Sequence, residues 1–114
     1  MLYTTIYNVY MNIVLKGVLQ EELERNLLKQ IVFKNELLKY PKGSLVIVKV
    51  HGDKYVYRKY RNKDKIISVY VGPVDSEAVK EAYKQRERYL QLKQDIKDLE
   101  EEERELRKVI NKYD

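Results

Sequence analysis

The chain has 114 residues, 44% apolar and 36% charged, with a formal net charge of +5, one His and no Cys. That length supports one small domain, and the lack of Cys excludes disulfides and thiolate metal sites and fits a reducing compartment. No segment approaches the ~20 consecutive apolar residues that span a bilayer, and the opening stretch lacks the basic start of a secretory signal, so a cytoplasmic protein is expected.

Met1–Leu15 is the least legible stretch. Tyr3, Ile6, Tyr7, Tyr10, Ile13 and Val14 recur at helical spacing, although their β-branched and aromatic character also suits a strand. A helix is the expectation. Leu19–Tyr40 reads more clearly as helix, with Leu15, Leu19, Leu23, Leu27 and Ile31 in an i, i+4 ladder joined by Leu38. Acidic residues lead and basic ones follow, as the helix dipole prefers. Pro41 and Lys42-Gly43 end it.

Three short strands follow over 44–71. Ser44–Val50 is rich in β-branched residues and stops at His51-Gly52-Asp53. Tyr55–Tyr60 alternates aromatic and basic residues and breaks at Arg61-Asn62-Lys63-Asp64. Ile66–Val71 resumes the β-branched pattern and ends at Gly72-Pro73. Connections this short join antiparallel neighbours, so the expected unit is a meander. Asp75 or Ser76 then caps a long helix over 75–112, free of Gly and Pro. Tyr89, Leu92, Ile96, Leu99, Glu103, Leu106, Ile110 and Tyr113 occupy its a and d heptad positions, with Glu103 the one polar interruption. So long a stripe needs another helix: Leu19–Leu38 folded back, a second subunit, or both, and a homodimer seam on this C-terminal helix is expected. The fold class is therefore α+β, with a three-stranded antiparallel meander packed by an N-terminal helical region (1–40) and a long C-terminal helix in a helical hairpin.

The charge is localised. From Lys49 to Lys65 stand seven basic residues, Lys49, Lys54, Arg58, Lys59, Arg61, Lys63 and Lys65, against Asp53 and Asp64. That surplus equals the whole chain's, so the rest is balanced. On the middle strand, Tyr55, Tyr57 and Lys59 share one face and Val56, Arg58 and Tyr60 the other. A helix must cover one of them, and alternation alone leaves open which. Cations interleaved with aromatic rings suit nucleic acid, because Lys and Arg neutralise phosphates while Tyr stacks or hydrogen-bonds. The candidate nucleic-acid-binding residues are those seven cations with Tyr55 and Tyr57. Ordinary cross-strand packing and edge protection by Lys are the plainer alternative.

Enzyme chemistry finds little support. His51 is the only His and lies in a turn. The run Glu100–Glu103 points in different directions around a helix and reads as a solvated face. No phosphate-binding loop or nucleophile elbow is present, and no cofactor or metal is expected.

The stretch GSLVIVKVHGDKYVYRKYRNKDKIISVYVG followed by a helix resembles the arm-type DNA-binding domain that precedes the catalytic part of many tyrosine recombinases. The resemblance covers Gly43 to about Leu90 and implies Lys49, Lys54, Tyr55, Tyr57, Lys59 and Arg61 as DNA-facing residues. No recombinase catalytic domain follows, and both long helices depart from that pattern. The run ELLKYPKGSLVIVKVHGDKYVYRKYR also resembles small proteins of low-GC bacteria, their phages and mobile elements. Such proteins are often inhibitors of host defence, including anti-CRISPR proteins, or antitoxins. Two functions stand as expectations: a non-enzymatic nucleic-acid-binding accessory or regulatory protein, or an inhibitor that occludes a host nuclease, a toxin or another protein partner.

Overall fold

The computed structural model describes residues 2–113, and the side chains of 5–113. Met1 and the Tyr3 side chain, part of the expected N-terminal periodicity, lie outside the described residues. Five elements follow one another: α1 (Leu2–Leu37), β1 (Ser44–Val50), β2 (Asp53–Asn62), β3 (Lys65–Pro73) and α2 (Glu77–Asn111). The expected α+β class is what the chain adopts. The two N-terminal segments expected separately form one continuous helix, because Gly17 lowers helix propensity without breaking the hydrogen-bond ladder. Helix α1 stops short of Pro41 and closes with Lys39 and Tyr40 donating to the Glu36 and Leu37 carbonyls. At the start of α2 the cap is Ser76, whose Oγ accepts from the Val79 amide at 3.3 Å.

The chain divides into two compact units, one of residues 1–35 with 94–114 and one of residues 36–93. The first is an antiparallel pairing of α1 with α2. Among its buried and half-buried positions on α1 are Leu19, Leu23, Asn26, Gln30 and Phe33, a 4-3-4-3 spacing that matches the heptad of α2. The expected i, i+4 ladder is thus corrected at its ends: Leu19, Leu23 and Leu27 are half-buried, but Leu15 and Ile31 are exposed, and so is Leu38 in the second unit. Each four-residue step overshoots a full turn by about 40°, so a pure i, i+4 row winds off the facing side within a few turns.

Two amides, each one residue before the ladder's Leu27 and Ile31, are the fully buried residues of α1 in this unit. Asn26 and Gln30 are buried and fully engaged. Asn26 Nδ2 donates to the Leu99 carbonyl at 2.9 Å and to Glu102 Oε1 at 3.3 Å. Gln30 Nε2 donates to Asn26 Oδ1 at 2.7 Å and to Glu103 Oε1 at 2.8 Å. Lys34 Nζ donates to Gln30 Oε1 at 3.3 Å, and Arg107 Nε to Glu103 Oε2 at 2.8 Å. Glu103, the polar interruption in the heptad, is therefore the acceptor that Gln30 requires. The Gln30 amide first, and then Arg107, holds its carboxyl below the usual glutamate range. Polar groups at such positions favour one register over its neighbours, since a slip leaves them unpaired.

The second unit holds the meander, in spatial order β1-β2-β3 with both pairs antiparallel. Its core sits between the sheet and the first turns of α2, where Val56, Val79 and Ala82 are buried, and Leu92 is buried farther along α2. Arg88 clasps Glu36 in a fork, Nε to Oε1 and Nη2 to Oε2, each at 3.0 Å.

Candidate nucleic-acid interface

The two hairpin turns set the register of the site. Val50 pairs with Asp53 across His51-Gly52, whose φ values of 49° and 85° are the pair of positive angles that matches strand twist. Asn62 pairs with Lys65 across Lys63-Asp64, with Lys63 at φ 57°. Counting back from that turn places Tyr57 opposite Tyr70, Lys59 opposite Ser68 and Arg61 opposite Ile66. A register shift then falls between Val56 and Tyr57: the partner changes from Tyr70 to Gly72, and Val71 is passed over.

Directly opposed residues share a face, which separates the nine candidates. Tyr55, Tyr57, Lys59 and Arg61 lie on one face with Tyr70. Lys49, Lys54, Arg58 and Lys65 lie on the other, and Lys63 sits at the tip of the second turn. The second face is the one α2 covers. Val56 and Gly72 are buried there, and a Cβ on Gly72 would come within 2.8 Å of Ser76 Oγ and 3.8 Å of Val79 Cγ2. Arg58 lines a small hollow with Leu45, Ala82 and Arg86, so the sheet points its guanidinium side toward the helix rather than outward. The residues chosen from the sequence are therefore not one patch but two.

The first face is open. Its outward side chains are exposed or half-buried, and none is buried. Three tyrosines cluster on it: Tyr70 stands edge-on to Tyr57 at 5.4 Å between ring centroids and tilted to Tyr55 at 6.2 Å. Tyr70 remains 52% exposed, which leaves ring surface for a ligand. Tyr70 was not among the sequence candidates, yet the signal existed: a two-residue turn at Lys63-Asp64 forces the Tyr57–Tyr70 pairing. At the other end, Gly43 holds the entry to β1 against Lys59. Its φ is 107°, and a Cβ there would run into the Lys59 carbonyl.

The electrostatics of sheet and helices differ. Arg25, Lys34, Lys80, Arg88, Arg107 and Lys108, all on the helices, form ion pairs with acidic neighbours. Among the described residues no Lys or Arg of the sheet is in an ion pair. The surplus charge is thus free of internal partners, and on the open face it adjoins aromatic rings. His51 is exposed in its turn, and no group of three or more His, Asp or Glu among the described residues is placed to hold a metal ion. No helix among the described residues is long and apolar enough to cross a membrane. Comparisons with protein-family models, with curated proteins and with solved structures find no match.

Proposed function

We propose that this protein is a non-enzymatic nucleic-acid-binding accessory protein that reads its ligand with the open face of the sheet. Lys59 and Arg61 neutralise phosphates, Lys63 extends the positive edge at the turn, and Tyr55, Tyr57 and Tyr70 offer rings to bases. The observation that carries this reading is the absence, among the described residues, of any acidic partner for these cations beside a half-exposed tyrosine cluster. Clustered like charges cost self-repulsion, which an anionic ligand relieves. Rings available for stacking favour unpaired bases, so single-stranded DNA or RNA is expected to bind more tightly than duplex.

A fluorescence-anisotropy titration with duplex DNA, single-stranded DNA and RNA at about 50 and 200 mM salt tests this. The expected result is tight, salt-sensitive binding that Lys59→Glu with Arg61→Glu abolishes or weakens, lowering the salt slope by about one to two units. The same reversal at Lys49 and Lys54, on the covered face, is expected to have a smaller effect. An unchanged slope in the Lys59/Arg61 variant overturns the reading. Failure of all three nucleic acids to bind leaves the patch to an acidic protein surface, the inhibitor alternative.

A further inference from the structure

Helix α1 carries a second apolar stripe that its pairing with α2 does not use. At 100° per residue, Leu19, Leu23, Asn26, Gln30 and Phe33 face α2. Ile6, Tyr10, Ile13, Gly17, Leu28 and Ile31 fall within about 60° of one another on the far side, where Glu24 interrupts them between Gly17 and Leu28. Between Ile6 and Val18, eight large apolar side chains are 39–66% exposed, and Leu28, Ile31 and Val32 are 58–63% exposed. From Thr5 to Leu15 only Met11 is less than exposed, so the N-terminal part of α1 lies beyond what α2 covers.

We propose that this far face of α1 is a homodimer interface, packing against the same face of a second copy. Three observations select that occupant. Nine of these side chains, Leu15 and Val18 excepted, lie within an arc of about 160° on that side, and at about 100 Å² each they offer on the order of 900 Å², comparable with the ~800 Å² per partner of a standard interface. Gly17 supplies the second. Inside a helix Gly costs stability relative to Ala, yet a Cβ on Gly17 would meet nothing within 4 Å in the chain. Its place in the middle of the stripe fits the close approach of another helix, where a small residue lets backbones come together. The third is charge. No charged residue precedes Lys16, and the remaining side of this stretch carries uncharged Thr5, Asn8 and Asn12. A membrane-surface helix would instead present Lys and Arg on its polar side to meet anionic headgroups, whereas two copies of an uncharged segment meet without repulsion. Within the first unit, the exposed large apolar side chains among the described residues all lie on α1, and the α2 stripe is taken up by α1.

Sedimentation equilibrium at about 1 to 100 μM, with circular dichroism to verify folding, tests the dimer. The wild-type chain is expected to reach twice its 13.8 kDa mass. Ile13→Glu is expected to hold it as a monomer with unchanged helix content, and Gly17→Leu to weaken association about tenfold or more. Asn12→Glu, on the other side of the helix, is expected to leave association intact. A wild-type chain that stays monomeric at about 100 μM overturns the proposal. So does a dimer indifferent to both Ile13→Glu and Gly17→Leu. Flotation of monomer with phosphatidylcholine–phosphatidylserine vesicles would assign the face to lipid instead.

Discussion

In the helical unit, Glu103 accepts from Gln30 and Arg107, Asn26 is bound to Leu99 and Glu102, and Lys34 reaches both Gln30 and Glu100. On the sheet, Lys59 and Arg61 stand next to tyrosine rings with no acidic partner among the described residues. Both regions are rich in polar groups, but in one the groups are consumed by the fold and in the other they are left over. A polar group whose partners lie within the chain specifies structure. One without them is available to something outside it.

That contrast can be broken most directly by truncation. Gln30→Ala removes the donor to Asn26 and to Glu103 at a buried seam, and is expected to cost about 1–3 kcal/mol of stability. Lys59→Ala with Arg61→Ala deletes two full charges yet is expected to change stability by less than about 0.5 kcal/mol. Chemical denaturation of the two variants side by side measures both. A large loss from the sheet pair would mean that those cations are structural after all.

A smaller effect sharpens the helical side. The Glu103 carboxyl titrates below its usual range in the folded chain, so over the acid range the folded state binds fewer protons than the unfolded one. Its contribution is then complete above the ordinary glutamate pKa, about 4.3, and is lost as pH falls through the lower folded value. Glu103→Gln is expected to make the acid limb of the stability profile shallower while leaving the alkaline limb alone. Superimposable acid limbs would remove Glu103 from the account. The smallest effect lies at the sheet's first turn. His51 sits at φ 49° before Gly52, and Asn tolerates that conformation better than His, so His51→Asn is expected to raise stability by about 0.5 kcal/mol. A melting temperature equal to or below that of the wild type would contradict it.

Much of the fold was legible from local chemistry. The β-branched runs, the Gly52 turn and the heptad of α2 each depend on residues close in sequence and stand where their patterns placed them, whereas the break expected over Arg61–Asp64 narrows to Lys63-Asp64 and the cap, open between Asp75 and Ser76, is Ser76. Strand ends moved by a few residues because pairing extends a ladder beyond the residues that favour it. The α1 seam was misread for a different reason. Leu15, Leu27, Leu28 and Ile31 supply apolar residues on several sides, and composition favours burying Leu over Asn. Burial of Asn26 and Gln30 becomes favourable only when Leu99, Glu102 and Glu103 are there to bind them, and those lie more than seventy residues away.

The candidate site divides in the same way. By itself the sequence determined that a basic, tyrosine-bearing meander exists, that its surplus charge is concentrated there, and which residues of β2 share a face, because side chains alternate along a strand by geometry. It left open which face a helix would cover, since Val56-Arg58-Tyr60 and Tyr55-Tyr57-Lys59 are similarly amphipathic. Only the tertiary structure decided that. Packing of Ser76, Val79 and Ala82 against Val56 and Gly72 closed one face, drew Arg58 toward α2, and left Tyr70 to join Tyr55 and Tyr57 on the other. A period of two says which residues lie together, and a partner surface is needed to say which side meets water.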